Sequence, residues 1–159
     1  MSRRVFGVDD PHTLAALAAY LKLLRASRSV LVRVERCITA RGLTPTQMGV
    51  LECLLHHGPL THRELGRKVL TSAGNITDVV DKLEARTLVE RRRDTADRRL
   101  VRVSLTAQGR DRIEVVFPDH ARDIAEAMGG LDPGELMRLG ELLRSLGTTA
   151  ARGTCRIGE

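Results

Sequence analysis

Between Val89 and Gly109 runs VERRRDTADRRLVRVSLTAQG, whose six arginines, Arg91, Arg92, Arg93, Arg98, Arg99 and Arg102, suit one kind of chemistry. A guanidinium offers five donors in a planar fork and keeps its charge, which matches phosphate oxygens. Two alternating segments flank the turn formers Asp94, Thr95, Ala96 and Asp97, so the cations sit on a hairpin. Like charges across a ladder repel, and a lysine or two is enough to guard a strand edge against aggregation. Six arginines therefore point to a polyanion. Near the tip both strand faces are wet, and the charges there can reach phosphates or a narrow minor groove.

Other residues offer weaker chemistry. Cys53, His56, His57 and His62 form C-x2-H-H-x4-H, superficially a metal cluster, but no carboxylate group supports it. The expectation is no metal, with Cys53 in the core and the histidines marking a helix end. A nucleophile at Cys53 with His57 as base is the enzyme alternative, and it lacks a third orienting group. Three cysteines, an odd number, argue against a disulfide framework. Cys37, among Arg33, Arg36 and Arg41, and Cys155 near the C-terminus are the candidates for redox control. No cofactor motif stands out.

The chain has 159 residues, a formal charge of +6 and a sequence pI of about 10. Charge is local rather than general. Arg86 to Arg102 holds seven Arg against three carboxylates, net +4, whereas Asp111 to Arg144 holds four Arg against eight, net −4. With 2% aromatics and no Trp, the core must rest on Leu, Val, Ile and Ala. No run of about eighteen apolar residues suggests a membrane span, and MSRRVFGVDDPH lacks the features of a secretory signal. The expected location is cytoplasmic.

The elements that position these residues follow from caps and periodicity. Asp10-Pro11 opens a helix without a breaker until Gly42, with Leu14, Leu17, Leu21, Leu24, Leu31 and Ile38 near heptad spacing. At roughly 45 Å it outreaches a small domain, so a partner chain is its natural cover. Thr44-Pro45-Thr46-Gln47 is a capping box for a helix ending at Gly58-Pro59, and Thr61 with Glu64 is another for THRELGRKV. SAGNITDVVDKLEAR, capped by Ser72, places Ile76, Val79, Val80 and Leu83 on one stripe. Thr106 caps a long helix in which Pro118 should cause a kink or a break into two. Asp132-Pro133-Gly134-Glu135 restarts a helix, and from Gly147 the tail reads as mobile.

Helix, helix and basic hairpin is the layout of a winged helix-turn-helix: mainly α, with a small β-hairpin wing and flanking N- and C-terminal helices. In such a fold the second helix enters the DNA major groove, N-terminal end first. Ser72, Gly74, Asn75, Thr77 and Asp78 are then the groove candidates. Asn pairs with adenine, Thr meets a thymine methyl, and Asp accepts from cytosine. Asp78, a carboxylate beside a polyanion, should face a base or brace a neighbouring Arg. A nonspecific, chromatin-like binder is the third alternative.

Residues Leu43 to Gly109, above all GNITDVVDKLEARTLV followed by DRRLVRVSLTAQG, resemble the winged-helix core of the MarR family of ligand-responsive bacterial transcription regulators. The resemblance implies a dimer joined by the first helix and the last two, bound as a repressor to a pseudo-palindromic double-stranded operator. It divides the chain into a flexible start (1–9), a dimerisation helix (10–42), a DNA-binding domain (43–105), C-terminal dimerisation helices (106–146) and a flexible tail (147–159). Asp97 and Arg99 match the family's D-x-R pair, Arg99 at the wing tip and Asp97 bracing by ion pairing. Thr87 departs from the usual Gly, which implies a rearranged or strained corner. The family also implies an effector cleft, for which His12, Tyr20, Arg28 and Arg41 are candidates, and thiol sensing in some members.

Overall fold

The computed structural model describes residues 8–69, 72–94 and 97–152. The expected flexible start lies almost wholly outside them, as do Cys155 and, at the hairpin tip, Thr95 and Ala96. Helix α1 (Pro11–Ala40) begins where Asp10 accepts from the Thr13 N–H at 2.8 Å, with Pro11 at the first helical position. Only Val34 and Ile38 of α1 are buried, while Leu17, Leu21, Leu24 and Leu31 stay about half exposed. Arginines take up the carbonyls at its C-terminal end. Arg41 donates to the Cys37 carbonyl at 2.9 Å, Arg112 to that of Arg41, and Arg86 to that of Gly42 at 3.0 Å. Cations suit the negative end of a helix dipole, and these bonds also tie α1 to the elements behind it.

Helix α2 (Pro45–His57) opens on the reciprocal Thr44–Gln47 capping box and buries Met48, Val50, Leu51 and Leu54. It stops at Gly58, whose φ of 71° a side chain would resist. Strand β1 (Leu60–Thr61) and helix α3 (His62–Val69) share Thr61, whose N–H donates to Glu64 at 2.8 Å. Helix α4 (Ala73–Ala85) is capped by Ser72, and its stripe of Ile76, Val79, Val80 and Leu83 is buried as expected. Strands β2 (Val89–Arg93) and β3 (Val101–Leu105) form the hairpin, followed by α5 (Ala107–Ala127) and α6 (Pro133–Arg152). The core gathers the end of α1, the inner faces of α2 to α4, the sheet and the first half of α5.

The structure adds to one expectation and corrects two others. The sheet has three strands, in the order β1-β3-β2, because Leu60 and Thr61 pair with Val103 and Arg102. Two residues that follow a Pro, the second of them a cap, carry no visible alternation. Next, the break into two does not occur at Pro118: α5 runs on as one helix through it, with Pro118 opposite the buried stripe of Ile113, Val116 and His120. The carbonyl left without an amide donor, that of Glu114, belongs to an exposed residue and can turn to water. Finally, α6 continues past Gly147 to Arg152, with Thr148 donating back to the Arg144 carbonyl. Ala150, Ala151 and Arg152 are good helix formers, and they continue a helix that one glycine weakens by only about 1 kcal/mol.

The corner after α4 keeps its left-handed turn despite Thr87. Thr87 has φ 57°, its N–H donates to Glu84 at 2.8 Å, and Leu88 N–H reaches back to Leu83 at 3.0 Å, a Schellman pair of bonds. The corner is therefore strained rather than rearranged. Its hydroxyl faces Gln108, and its carbonyl accepts from the Thr106 hydroxyl, so the start of α5 grips it from two sides. Gly109 makes that grip possible. A Cβ there would lie 1.8 Å from the Leu88 carbonyl oxygen.

Candidate nucleic-acid interface

The exposed face of α4 carries Gly74, Asn75, Thr77 and Asp78, with the cap Ser72 beside them. Asp78 braces Lys82 one turn on, at 2.7 Å, rather than an arginine. The next acids along, Asp81 and Glu84, point to the wing. On α3, Arg63, Arg67 and Lys68 are exposed cations that sequence reading passed over. The first helix of such a pair crosses the DNA backbone, which was the available signal.

The six wing arginines separate into two sets. Arg91 shares a strand face with the buried Val89 and sits opposite the buried Val103. Its guanidinium donates to both Asp81 and Glu84, its Nε to His62 Nε2 at 3.4 Å, and its backbone N–H to Glu84 Oε1 at 3.1 Å. Burial pulls the Arg91 charge down, but donating to two carboxylates outweighs it and holds the group above its ordinary value. Burial, then the Arg91 charge, pushes His62 below its usual range.

On the other face Arg92 and Arg102 stand directly opposite each other, the repulsive placement feared from the sequence. Each has its own carboxylate. Arg92 pairs with Glu90 at 2.9 Å, and Arg102 pairs with Asp94 and stands 3.6 Å from Glu64. Those bonds, led by the one to Asp94, raise the Arg102 guanidinium further. Arg91 and Arg102, both expected among the DNA-contacting wing residues, are therefore ion-paired within the protein.

Arg93, Arg98 and Arg99 are exposed, and among the described residues none forms an ion pair. Asp97 makes no ion pair there either. Its carboxylate instead accepts from the Arg99 N–H at 3.0 Å, and its own N–H donates to Asp94 at 3.0 Å. The acid after a turn thus braces the tip through the backbone, in the manner of an Asx turn, while Asp94 takes the ion pair.

The other candidates do not come together. His12, Tyr20 and Arg28 are exposed along α1, and Arg41 lies at its far end, roughly 40 Å from His12. Arg28 flanks a shallow groove with Leu24, Leu31 and Glu35, all from α1 itself. Arg41 is committed to Asp123 at 2.5 Å. The bond from Arg41, and a further one from the Cys37 thiol, hold Asp123 below the usual carboxylate range. Arg41 thus donates both to a carboxylate and to the Cys37 carbonyl. His56 meets Phe117 edge-on at 5.4 Å, His57 faces Lys68, and Cys53 packs against the core, where burial raises its thiol. Among the described residues no His, Cys, Asp and Glu group is arranged to hold a metal, and no helix is long and apolar enough to cross a membrane.

Residues 43–101 match the model of the MarR family. The transcriptional regulator MhqR of Bacillus subtilis is 36% identical over 87% of this chain and 95% of its own length. The transcriptional repressor NicR of Pseudomonas putida is 37% identical over 65% of this chain and 66% of its own. Among solved structures, BpsR of Bordetella bronchiseptica, whose DNA binding is regulated by 6-hydroxynicotinic acid, superposes with a TM-score of 0.72. It is 30% identical, over 82% of this chain and 98% of its own. These proteins are regulators, not enzymes. The wing, the exposed helix beside it and the likeness along nearly the whole chain lead to one assignment: this chain belongs to the MarR family of helix-turn-helix transcriptional regulators.

Proposed function

We propose that the protein is a homodimeric repressor that reads a pseudo-palindromic DNA operator and releases it when a small-molecule effector binds. The observation that carries this reading is the wing tip. Arg93, Arg98 and Arg99 are exposed without a carboxylate partner among the described residues, whereas Arg91, Arg92 and Arg102, the other arginines of the hairpin, are each paired. Free cations confined to the end of a finger suit a phosphate backbone or a minor groove. Ser72 at the cap of α4, with Asn75 and Thr77 on it, supplies hydroxyl and amide groups for base edges, and Gly74 leaves room for close approach. Repression has support in the name of NicR, and effector control in the behaviour of BpsR.

In this mechanism two α4 helices sit about 34 Å apart to meet successive major grooves, and an effector between the flanking helices and the DNA-binding lobe shifts that spacing. Selection from a random DNA pool should recover an inverted repeat. Exchanging Arg99 for Ala should weaken binding to many sequences and lower the salt slope by about one. An unchanged affinity and slope would remove the wing from the interface.

A further inference from the structure

We propose that Arg91 is a positioning residue for DNA recognition: it locks the wing to the recognition helix and sets sequence preference without touching DNA. The inference rests on the operator-binding reading above and deepens it. Three elements meet at this side chain. The fork reaches Asp81 and Glu84 on α4, the Nε reaches His62 at the start of α3, and the backbone of β2 donates to Glu84. Asp81 and Glu84 lie one turn apart along α4, so a planar fork bonded to both fixes the strand against rotation about that helix as well as its distance from it.

Charge at this point favours the same role. A guanidinium with two carboxylates is locally anionic, a poor partner for phosphate, and only 24% of the Arg91 side chain is exposed. The tip cations Arg98 and Arg99 are carried on the same hairpin. Their placement relative to the α4 face that holds Asn75 and Thr77 therefore passes through the Arg91 lock. A rigid lock makes the groove contacts of helix and wing simultaneous, and simultaneity separates a preferred site from random DNA.

Salt dependence separates a positioning role from a phosphate contact. The probes are the best-bound duplex from the random pool and a scrambled duplex, with Arg91→Met, Glu84→Gln and the double variant of the full chain. As a lock, Arg91→Met lowers the preference for the selected duplex about tenfold, while affinity and salt slope on scrambled DNA stay as in the parent. Glu84→Gln acts in the same direction, and the double variant is no worse than the stronger single one. As a phosphate contact, Arg91→Met flattens the slope by about one on both duplexes, and Glu84→Gln frees the arginine and tightens both. Either of those results overturns the proposal. Should Arg91→Met fail to fold by circular dichroism, Glu84→Gln alone decides, since the two roles give it opposite signs. A pool that yields no preferred duplex overturns the operator reading and the lock together. A normal pool with a flattened Arg91→Met slope overturns the lock alone.

Discussion

His62 accepts from Arg91 through a ring nitrogen, which requires that nitrogen to be unprotonated. Burial and the adjacent guanidinium lower its pKa from the ordinary 6.5, although Asp81 and Glu84 oppose the shift. The sign follows by linkage. Below the ordinary value the unfolded chain takes up a proton that the folded site resists, so stability present above about pH 6.5 is lost as pH falls through the lowered value. The melting temperature should therefore drop between about pH 7.5 and 5.5, and less so in His62→Gln, which keeps an acceptor that cannot titrate. Equal drops in both proteins would show that His62 carries none of the dependence. The sequence marked His62 only as part of a superficial cluster, since its partner lies 29 residues away. Arg91 was half legible. Its parity with Val89 places it on the inward face, but a charge census cannot name the acids on another element that receive it. Thr87 was fully legible as an anomaly, and the outcome follows from magnitudes. A left-handed non-glycine residue costs about 1–2 kcal/mol, which the grip of Thr106 and Gln108 and the lower unfolded-state entropy of Thr relative to Gly offset in part.

At the scale of elements, the contact between α5 and the α4–β2 corner is where one atom decides. Gly109 lies in the first turn of α5, on the N–H that the Thr106 hydroxyl caps at 2.9 Å. An added Cβ meets the backbone oxygen of Leu88, which cannot swing aside as a side-chain tip would. Gly109→Ala should then push α5 off the corner and destabilise the fold by about 3 kcal/mol, at the upper end of overpacking. Urea denaturation reads that directly, and a change below about 1 kcal/mol would mean that the approach relaxes freely. The helices themselves were readable because their signals are local: Asp10, Thr44, Thr61, Ser72, Thr106 and Asp132 each sit within three residues of the N–H they cap. Strand β1 was not readable, because Leu60 and Thr61 become a strand only when Val103 and Arg102 of β3 arrive from far along the chain. The end of α6 was missed for a different reason. Gly147 reads as a stop by rule, whereas no second breaker follows before Arg152, and Ala150 and Ala151 favour helix.

For the whole molecule, the question is what covers the apolar faces that one copy leaves in water. Helix α6 buries none of its residues, and Met137, Leu142, Leu143 and Leu146 remain 40–72% exposed. On α1, Leu17, Tyr20, Leu21, Leu24 and Leu31 remain 45–57% exposed. Apolar surface of that extent marks an interface, and the heptad-like spacing on α1 suits another helix. A second copy is the proposed cover, because closed two-fold assembly buries the same patch on both chains and sets two wings about a common axis. The charge layout agrees. The acidic helices α5 and α6 satisfy much of their charge at home, through Arg33–Glu126, Arg41–Asp123, Arg110–Glu114, Arg122–Asp119 and Arg138–Glu141, which leaves net positive charge at the wing end. Sedimentation at micromolar concentration should therefore give a dimer, and Leu142→Glu with Leu146→Glu should give a monomer. The monomer keeps its affinity for a single half-site but binds the full inverted repeat more weakly by a factor of about 100 or more, because the second half-site no longer benefits from linkage. A parent protein that sediments as a monomer, or a double variant that still binds the full repeat like the parent, would leave these faces without the role proposed for them.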